Sequence, residues 1–279
     1  MILFRKSILW MIQNLSTFSP DFANRLAVQL FLSPIRYPRT PEEEQFWQTG
    51  AGEKFLSGCR GRVFGDGDKT VWVVHGWESR GSKFKVFIEA LVKAGFRVVA
   101  WDAPAHGDSK GQRTNMVRCA QELKMDVERF MPGQPLHALV GHSFGAGVAG
   151  YACRLDLNVH RLVLISAPCS VRPVFVRFWQ AIGLPESLKP NFIAAVEKET
   201  GVTISQISLE NYIDKLPQKI QIIHDKSDKE IPFSEAEILK NKSPAAVLVG
   251  TEKLGHRRIL DSQIVASLLV KFLTYTEAS

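Results

Sequence analysis

The sequence feature that most restricts the fold of this chain is Gly141-His142-Ser143-Phe144-Gly145, which directly follows the apolar run Leu136 to Val140. A Gly-x-Ser-x-Gly motif between a strand and a helix is typical of a sharp, strained turn that exposes the serine. Glycines flank the serine because a side chain at either position would collide with the neighbouring backbone. The small residues Gly147 and Ala149 indicate a helix that packs closely on a sheet. The sequence therefore predicts a strand, a turn and a helix in direct succession.

Strand-like and helix-like segments alternate on the amino-terminal side of this motif. Val71 to Val74 is apolar on both faces, as is usual for a central strand that helices cover on either side. Lys83 to Ala94 is amphipathic and predicts a helix ended by Gly95, and Phe96 to Trp101 predicts the following strand. Such alternation predicts an α/β fold with a mainly parallel sheet.

A hairpin is predicted just before the first central strand. Residues 54–64 have a strand-like pattern, and Gly65-Asp66-Gly67-Asp68 has the composition of a tight turn into Thr70 to Val74.

The composition excludes several classes of protein. The chain has 279 residues, of which 45% are apolar and 23% are charged, as in a soluble globular protein with one large core. The net charge is +7, but lysine and arginine are spread over the whole length, so we expect no nucleic-acid partner. The four cysteines have no paired spacing and predict buried free thiols in a reducing cytoplasm, where we expect the protein to be located. No metal-ligand cluster is visible, and we expect no bound metal.

Two helices are predicted before the sheet, which gives an N-terminal helical extension over residues 1–53. Ser19-Pro20 is typical of the start of the second helix. The first has an apolar face formed by Phe4, Ile8, Met11, Leu15 and Phe18. The helices could pack on the rest of the protein, wall a pocket, or bring residues 1–32 to a membrane surface. We favour packing because few positive charges flank the apolar face.

A resemblance to a known superfamily follows from His75-Gly76-Trp77, at the carboxyl end of the strand that ends with Val74. With the Gly-x-Ser-x-Gly motif, this triplet resembles the α/β-hydrolase superfamily. The resemblance covers roughly Thr70 to Thr274 and implies a mostly parallel, eight-stranded sheet with helices on both faces. It also implies a catalytic domain over residues 54–279 with a helical cap inserted at about 171–216.

The resemblance assigns roles to residues near the serine. In the superfamily, the residue after the His-Gly pair and the residue after the nucleophile donate backbone N–H groups to an oxyanion hole. Here these residues are Trp77 and Phe144. Residues 102–109 resemble the superfamily's Asp-x-Pro-Gly-His-Gly-x-Ser turn, with Ala105 in place of glycine. In the superfamily this stretch orders a loop, so Asp102 and His106 are not expected to be the catalytic acid and base.

The acid and the base are expected after the serine in the chain. Asp228 stands four residues before Pro232, in a stretch that resembles the superfamily's acid loop, and Asp225 is the alternative. His256 is expected on a loop behind the last predicted strand, after both the serine and the acid, as the superfamily's order Ser, Asp, His requires. The resemblance thus implies a triad of Ser143, Asp228 and His256.

The cap residues suggest an apolar substrate. One helical face carries three aromatic side chains, and these, with Trp77, are the predicted pocket residues: Phe175, Phe178 and Trp179. We expect a serine hydrolase that cleaves a small-molecule carboxylic ester or thioester through an acyl-enzyme, without a cofactor. Three alternatives remain open: a small-substrate peptidase of the aminopeptidase type, another hydrolase with the same triad, and an inactive binding protein of the same fold. The sequence leaves the natural substrate and the oligomeric state open.

Overall fold

A computed structural model describes residues 16–275 and places an eight-stranded sheet at the centre of the protein. The strands are β1 (Ala51–Lys54), β2 (Arg60–Phe64), β3 (Lys69–Val74), β4 (Phe96–Asp102), β5 (Leu136–His142), β6 (Val159–Ile165), β7 (Lys219–Asp225) and β8 (Val247–Thr251). They lie in the order β1-β2-β4-β3-β5-β6-β7-β8, and only the β1–β2 and β2–β4 pairs are antiparallel. The predicted α/β class and mostly parallel eight-stranded sheet are confirmed.

Eleven α-helices lie wholly within the described residues. They are α1 (Pro20–Phe31), α2 (Pro41–Gln48), α3 (Lys85–Lys93), α4 (Met116–Phe130), α5 (Phe144–Arg154), α6 (Arg172–Ile182), α7 (Lys189–Thr200), α8 (Ile204–Ile207), α9 (Phe233–Lys242), α10 (Gly255–Arg258) and α11 (Gln263–Thr274). Between residues 16 and 275, no helix combines the length and the apolar character that a membrane span needs. The predicted helix with Phe4 to Leu15 lies outside the described residues.

Helices cover both faces of the sheet, and each face has its own apolar core. Trp72 and Val74 of β3 point to a core completed by α4, α5 and α9. Val71 and Val73 point to the opposite core, which α3 and α11 complete. Alternate residues of one strand are thus buried on opposite sides, which explains why the strand is apolar throughout. All four cysteines are free and buried, as predicted.

The predicted hairpin between β2 and β3 is wrong. β1 ends at Lys54 and pairs with β2, and β2 also pairs with β4 on its other side. β4 lies between β2 and β3. The glycine-rich segment after β2 crosses the start of β4, where a Cβ on Gly67 would overlap the carbonyl oxygen of Gly95. Turn composition predicts a reversal of the chain, but the strand that pairs is chosen by burial against residues distant in sequence.

The parallel strands bring distant loops to one edge of the sheet. β3, β5, β7 and β8 run in the same direction, so the residues that follow their carboxyl ends meet at that edge. These residues include the loop after Val74, the turn after His142, the loop after Asp225 and the loop after Thr251. All the residues implied as acid, base, nucleophile and oxyanion donors therefore lie at one place in the fold.

The N-terminal helix α1 packs on the segment predicted as the cap. Residues 171–216 contain α6, α7, α8 and three short 3₁₀ turns. Ala23, Ala27 and Val28 of α1 form a third apolar cluster with side chains of α6 and α7. β1 belongs to the central sheet although its residues 51–53 fall within the predicted extension.

Candidate active site

Ser143 occupies a strained turn between β5 and α5. Its φ of 54° lies in the left-handed region, which costs a residue other than glycine about 1–3 kcal/mol. The turn is closely packed, because a Cβ on Gly141 would overlap the carbonyl oxygen of Gly145, and a Cβ on Gly145 would overlap that of Val74. Glycine at both positions is therefore a steric requirement, as the motif predicted.

The structure brings Ser143, His256 and Asp228 into one hydrogen-bonded chain. The Oγ of Ser143 is 2.9 Å from Nε2 of His256, and Nδ1 of His256 is 2.8 Å from Oδ2 of Asp228. Since an ionised carboxylate only accepts, Nδ1 carries the proton, and Nε2 is left to accept from the serine hydroxyl. His256 lies in the one-turn helix α10, where the sequence predicted a loop.

Asp228 is buried and is held by its own loop. Its Oδ1 accepts hydrogen bonds from the backbone N–H groups of Glu230 and Ile231, both at 2.9 Å. Burial acts to raise the pKa of Asp228, but hydrogen bonds from His224, His256 and the backbone outweigh it and hold that pKa well below its usual range. Asp228 is therefore an anion throughout the neutral pH range.

Asp225, the alternative acid, has a different set of contacts. Its Oδ1 accepts from the N–H groups of Ser227 and Gly255, both at 2.9 Å. Its Oδ2 accepts from the hydroxyl of Thr251 at 2.9 Å and the N–H of Leu254 at 3.1 Å. Asp225 thus ties the loop that carries Asp228 to the loop that carries His256, and it is Asp228 that contacts the imidazole.

Sequence reasoning missed two histidines beside this chain. Nε2 of His142 is 2.8 Å from the carbonyl oxygen of His256, and burial lowers the pKa of His142 to about 3. Nε2 of His224 lies 3.4 Å from Oδ2 of Asp228 and donates to the carbonyl oxygen of Ile231 at 2.9 Å. A signal was present in the sequence, because one adjoins Ser143 and the other stands four residues before Asp228.

Trp77 and Phe144, the expected oxyanion donors, lie in segments close to Ser143. Among residues 16–275, the backbone N–H groups of these two residues have no hydrogen-bond acceptor. Their rings meet edge to face with centroids 5.1 Å apart. A Cβ on Gly76 would lie 3.4 Å from Cβ of Ser143, so the loop that carries Trp77 passes closely over the serine. Two backbone N–H groups without an acceptor in the described part of the chain therefore lie in the segments that adjoin Ser143.

Asp102, His75 and His106 make contacts of a structural kind. Asp102 is fully buried and accepts from the N–H groups of Gly81 at 2.7 Å and Asp108 at 2.9 Å, while burial raises its pKa to about 6. Nε2 of His75 accepts from the N–H of Ala103 at 3.0 Å, and burial holds the pKa of His75 well below its usual value. Nδ1 of His106 donates to the carbonyl oxygen of Pro104 at 3.0 Å.

The charge state of His106 predicts a loss of stability in acid. Burial lowers the pKa of His106 from 6.5 to about 4, and its Nε2 finds no hydrogen-bond partner in the described part of the chain. Below about pH 6.5 the imidazole of His106 therefore binds a proton in the unfolded chain but not in the folded protein. The neutral histidine's contribution to the free energy of unfolding is complete above pH 6.5 and is lost as the pH falls towards 4. Its full size is about 3 kcal/mol.

The test compares melting temperatures of the wild type and His106→Asn between pH 8 and pH 4. Asparagine keeps a donor for Pro104 but does not titrate, so we expect a flatter dependence below pH 6.5. Asp102 acts in the opposite direction, since its raised pKa favours the folded protein as the pH falls through 6, and it is unchanged in both proteins. Equal slopes would contradict the prediction.

The predicted pocket aromatics pack together on α6 and against α1. The ring of Phe31 lies 4.7 Å from that of Phe175 and 5.0 Å from that of Phe178. Trp179 is buried in the same cluster, 5.1 Å from Phe192. These three rings of α6 are covered by contacts between α1 and the cap. Trp77, the fourth predicted pocket residue, lies instead next to Phe144.

Among the described residues, no group of His, Cys, Asp or Glu side chains is arranged to hold a metal ion.

Solved structures with the same fold were found at low sequence identity. An esterase from Pyrococcus furiosus has a TM-score of 0.64 and 22% identity, with 87% of this chain and 96% of that chain covered. An esterase from Exiguobacterium antarcticum has a TM-score of 0.59 and 19% identity, covering 81% of this chain and all (100%) of that chain. A bromoperoxidase from Bacillus anthracis has a TM-score of 0.61 and 18% identity, covering 77% and 95%. These similarities show the fold.

No curated protein matches the chain.

The sequence does match a family directly. The Hydrolase_4 family, described as serine aminopeptidase S33, matches residues 65–221, which is more than half of the chain and includes the turn at Ser143. Since this match agrees with the sheet topology and with the neighbouring folds, the chain belongs to the Hydrolase_4 family of the α/β-hydrolase superfamily and is a hydrolase.

Proposed function

We propose that this enzyme hydrolyses carboxylic esters or thioesters of small molecules through an acyl-enzyme on Ser143. The observation that carries the proposal is the hydrogen-bonded chain from Ser143 to His256 to Asp228, with distances of 2.9 and 2.8 Å. A serine hydroxyl is a weak nucleophile until an adjacent base removes its proton, and His256 is the base beside Ser143. The esterases among the neighbouring folds agree with this choice of substrate.

Acylation uses the direction of proton transfer along the hydrogen bonds from Ser143 to His256 to Asp228. The Oγ of Ser143 attacks the carbonyl carbon as its proton passes to Nε2 of His256, and the carbonyl π electrons move onto oxygen. The N–H groups of Trp77 and Phe144 then donate to this oxyanion, and the loss of one such donor costs about 3 kcal/mol in other enzymes. Asp228, held as an anion by its low pKa, stabilises the imidazolium that forms.

Collapse of the tetrahedral intermediate releases the first product. The proton on Nε2 of His256 passes to the departing oxygen or sulfur, the bond from that atom to the carbonyl carbon breaks, and the acyl group remains on Ser143. Water then gives a proton to His256 and attacks the acyl carbon. The second intermediate expels Oγ, which recovers its proton, and the acid leaves.

A small-substrate peptidase of the aminopeptidase type is the second candidate. The family description favours it, and so does Glu230, whose Oε2 lies 4.0 Å from Nε2 of His256 and whose side chain is half exposed. A carboxylate in this place suits the ammonium group of a free amino terminus. However, Glu230 is already paired with Arg257 at 3.0 Å, and we therefore rank the ester first.

The test is a panel of p-nitrophenyl esters, acyl thioesters and aminoacyl p-nitroanilides, with graded acyl length in the first two. We expect turnover of esters or thioesters with an optimum in acyl length, and covalent labelling by a fluorophosphonate that peptide mass analysis assigns to Ser143. Turnover confined to the anilides would select the peptidase. Labelling at another residue, or none, would reject the acyl-enzyme.

A further inference from the structure

An irregular segment between α1 and α2 crosses the loops next to the proposed oxyanion hole. We call residues 33–40 the N-terminal strap. It has no helix or strand and lies outside residues 65–221, which match the family. Its backbone and arginine side chains nevertheless make hydrogen bonds with two loops. One is the oxyanion loop, defined as residues 75–83, and the other is the Asp102 turn, defined as residues 102–111.

The strap holds the oxyanion loop at three alternate residues, Glu78, Arg80 and Ser82. The N–H of Ile35 donates to Oε1 of Glu78 at 3.2 Å, one residue after Trp77. Further along the loop, Arg80 donates to the carbonyl oxygen of Tyr37 at 2.9 Å. The third contact joins Arg39 to the hydroxyl of Ser82 at 3.2 Å.

The strap also holds the Asp102 turn, through arginine. The guanidinium of Arg36 donates to three backbone carbonyl oxygens, those of Ala105 at 2.9 Å, Ser109 at 2.6 Å and Gly111 at 2.7 Å. Arg39, which is almost buried, pairs with Asp102 at 3.2 Å and with Asp108 at 2.9 Å. A planar guanidinium with several fixed donors suits such a cluster of acceptors better than lysine does.

Both loops need outside support, because each contains a strained residue. Glu78 has a φ of 56° and Ala105 has a φ of 65°, both in the left-handed region. Such conformations persist only where the surrounding structure fixes them. The strap contacts each of these residues directly, one through its carboxylate and the other through its carbonyl oxygen.

The two loops converge on the proposed oxyanion donors. The ring of His106, in the Asp102 turn, packs edge to face on Trp77 with centroids 5.1 Å apart. Trp77 in turn packs on Phe144 at 5.1 Å. The strap therefore reaches Trp77 from two sides, along the backbone through Glu78 and through the ring of His106.

We propose that the N-terminal strap is a positioning element of the active site, which fixes the N–H of Trp77 towards the oxyanion through Arg36 and through the bond from Ile35 to Glu78. This inference rests on the proposed acyl transfer. Donors that stabilise a transition state act because they are already in place, so a shift that leaves the pocket intact lowers kcat and leaves KM nearly unchanged.

The decisive comparison is Glu78→Ala with Glu78→Gln, measured on the best p-nitrophenyl ester. Alanine removes the acceptor of the Ile35 N–H, and we expect kcat to fall about tenfold or more with KM within about twofold. Glutamine keeps an acceptor oxygen and loses only the charge, so it should recover most of that activity. An alanine variant with wild-type kcat, or a glutamine variant as impaired as alanine, would overturn the proposal.

A second pair separates positioning from loss of stability. Arg36→Ala removes three hydrogen bonds to the Asp102 turn. Arg62→Ala is its matched control, because Arg62 donates to the carbonyl oxygen of Gly50 at 2.8 Å and to Gln48 at 2.5 Å, at the β1–β2 edge of the sheet. We expect both to lower the melting temperature but only Arg36→Ala to lower kcat, at constant KM. Equal kcat losses in the two variants would reject a positioning role.

The same assay separates this inference from the proposed function. If Ser143→Ala retains activity, the acyl-enzyme fails, and the strap proposal fails with it. If Ser143→Ala is inactive while Glu78→Ala and Arg36→Ala are both fully active, only the strap proposal is overturned.

Discussion

Ser143→Ala is expected to lower kcat/KM for the best ester by about 10⁴- to 10⁶-fold, the range found when a triad nucleophile is removed. The methyl group cannot attack the carbonyl carbon, and His256 has no hydroxyl proton to accept. The backbone N–H groups of Trp77 and Phe144 remain, so substrate binding should change little. Activity is measured on p-nitrophenyl esters and labelling with a fluorophosphonate, and both should disappear together.

Ser166→Ala is the matched control for this substitution. Like Ser143, Ser166 follows the carboxyl end of a parallel strand, and its φ of 47° is also in the left-handed region, although Ser166 is fully buried and Ser143 is partly exposed. Its hydroxyl has no hydrogen-bond partner within residues 16–275, so the loss of that oxygen should leave both folding and activity close to those of the wild type. A large activity loss in Ser166→Ala, or substantial activity in Ser143→Ala, would contradict the assignment of the nucleophile.

Asp228→Asn is expected to lower kcat by about 10⁴-fold while the protein remains folded. The reason lies in the backbone. Oδ1 of Asp228 accepts from two backbone N–H groups, so the amide oxygen of asparagine must take that place and the NH₂ group must face His256. Nδ1 of the imidazole then becomes an acceptor and the proton moves to Nε2, which can no longer accept from Ser143.

The control for a lost buried carboxylate is Asp126→Asn. Asp126 accepts hydrogen bonds from the backbone N–H of Ser57 at 2.9 Å, from the hydroxyl of Ser57 at 2.6 Å and from the indole N–H of Trp101 at 3.0 Å. It lies on α4, away from the hydrogen-bonded chain at Ser143. We expect Asp126→Asn to lower the melting temperature and leave kcat unchanged. Asp228→Asn should instead lower kcat and leave the melting temperature nearly unchanged. If Asp228→Asn lowers kcat by less than Asp126→Asn does, the catalytic acid has been misassigned.

Local sequence chemistry predicted the turn at Ser143 because its requirements are local. Glycine at 141 and 145 follows from overlap with backbone atoms of the turn and of β3, and any sequence in this geometry meets the same restriction. The central strands were also predictable, since a strand with both faces covered must be apolar throughout, as β3 is.

Features that depend on distant residues were predicted less well. The hairpin between β2 and β3 was wrong because β4 provided a better partner for β2. Asp225 and Asp228 were both candidate acids, and they lie three residues apart, one at the end of β7 and the other in the loop after it. Only the position of α10 beside this loop gave one of them the imidazole and the other the backbone of residues 254–255.

The aromatic face of α6 illustrates the same limit. Periodicity showed that Phe175 and Trp179 share an apolar face, but it could not show what that face contacts. In the folded protein α1 covers it, from almost 150 residues earlier in the chain.

By itself, the sequence determined the α/β class and the strained turn, because backbone sterics and strand burial act over a few neighbouring residues. The proposed order of nucleophile, acid and base came instead from the resemblance to the superfamily. The tertiary structure decided which strands pair, which aspartate meets the histidine, and which loops the N-terminal strap supports. These contacts join segments far apart in the chain, and their free energies depend on burial and geometry that exist only once the sheet has formed.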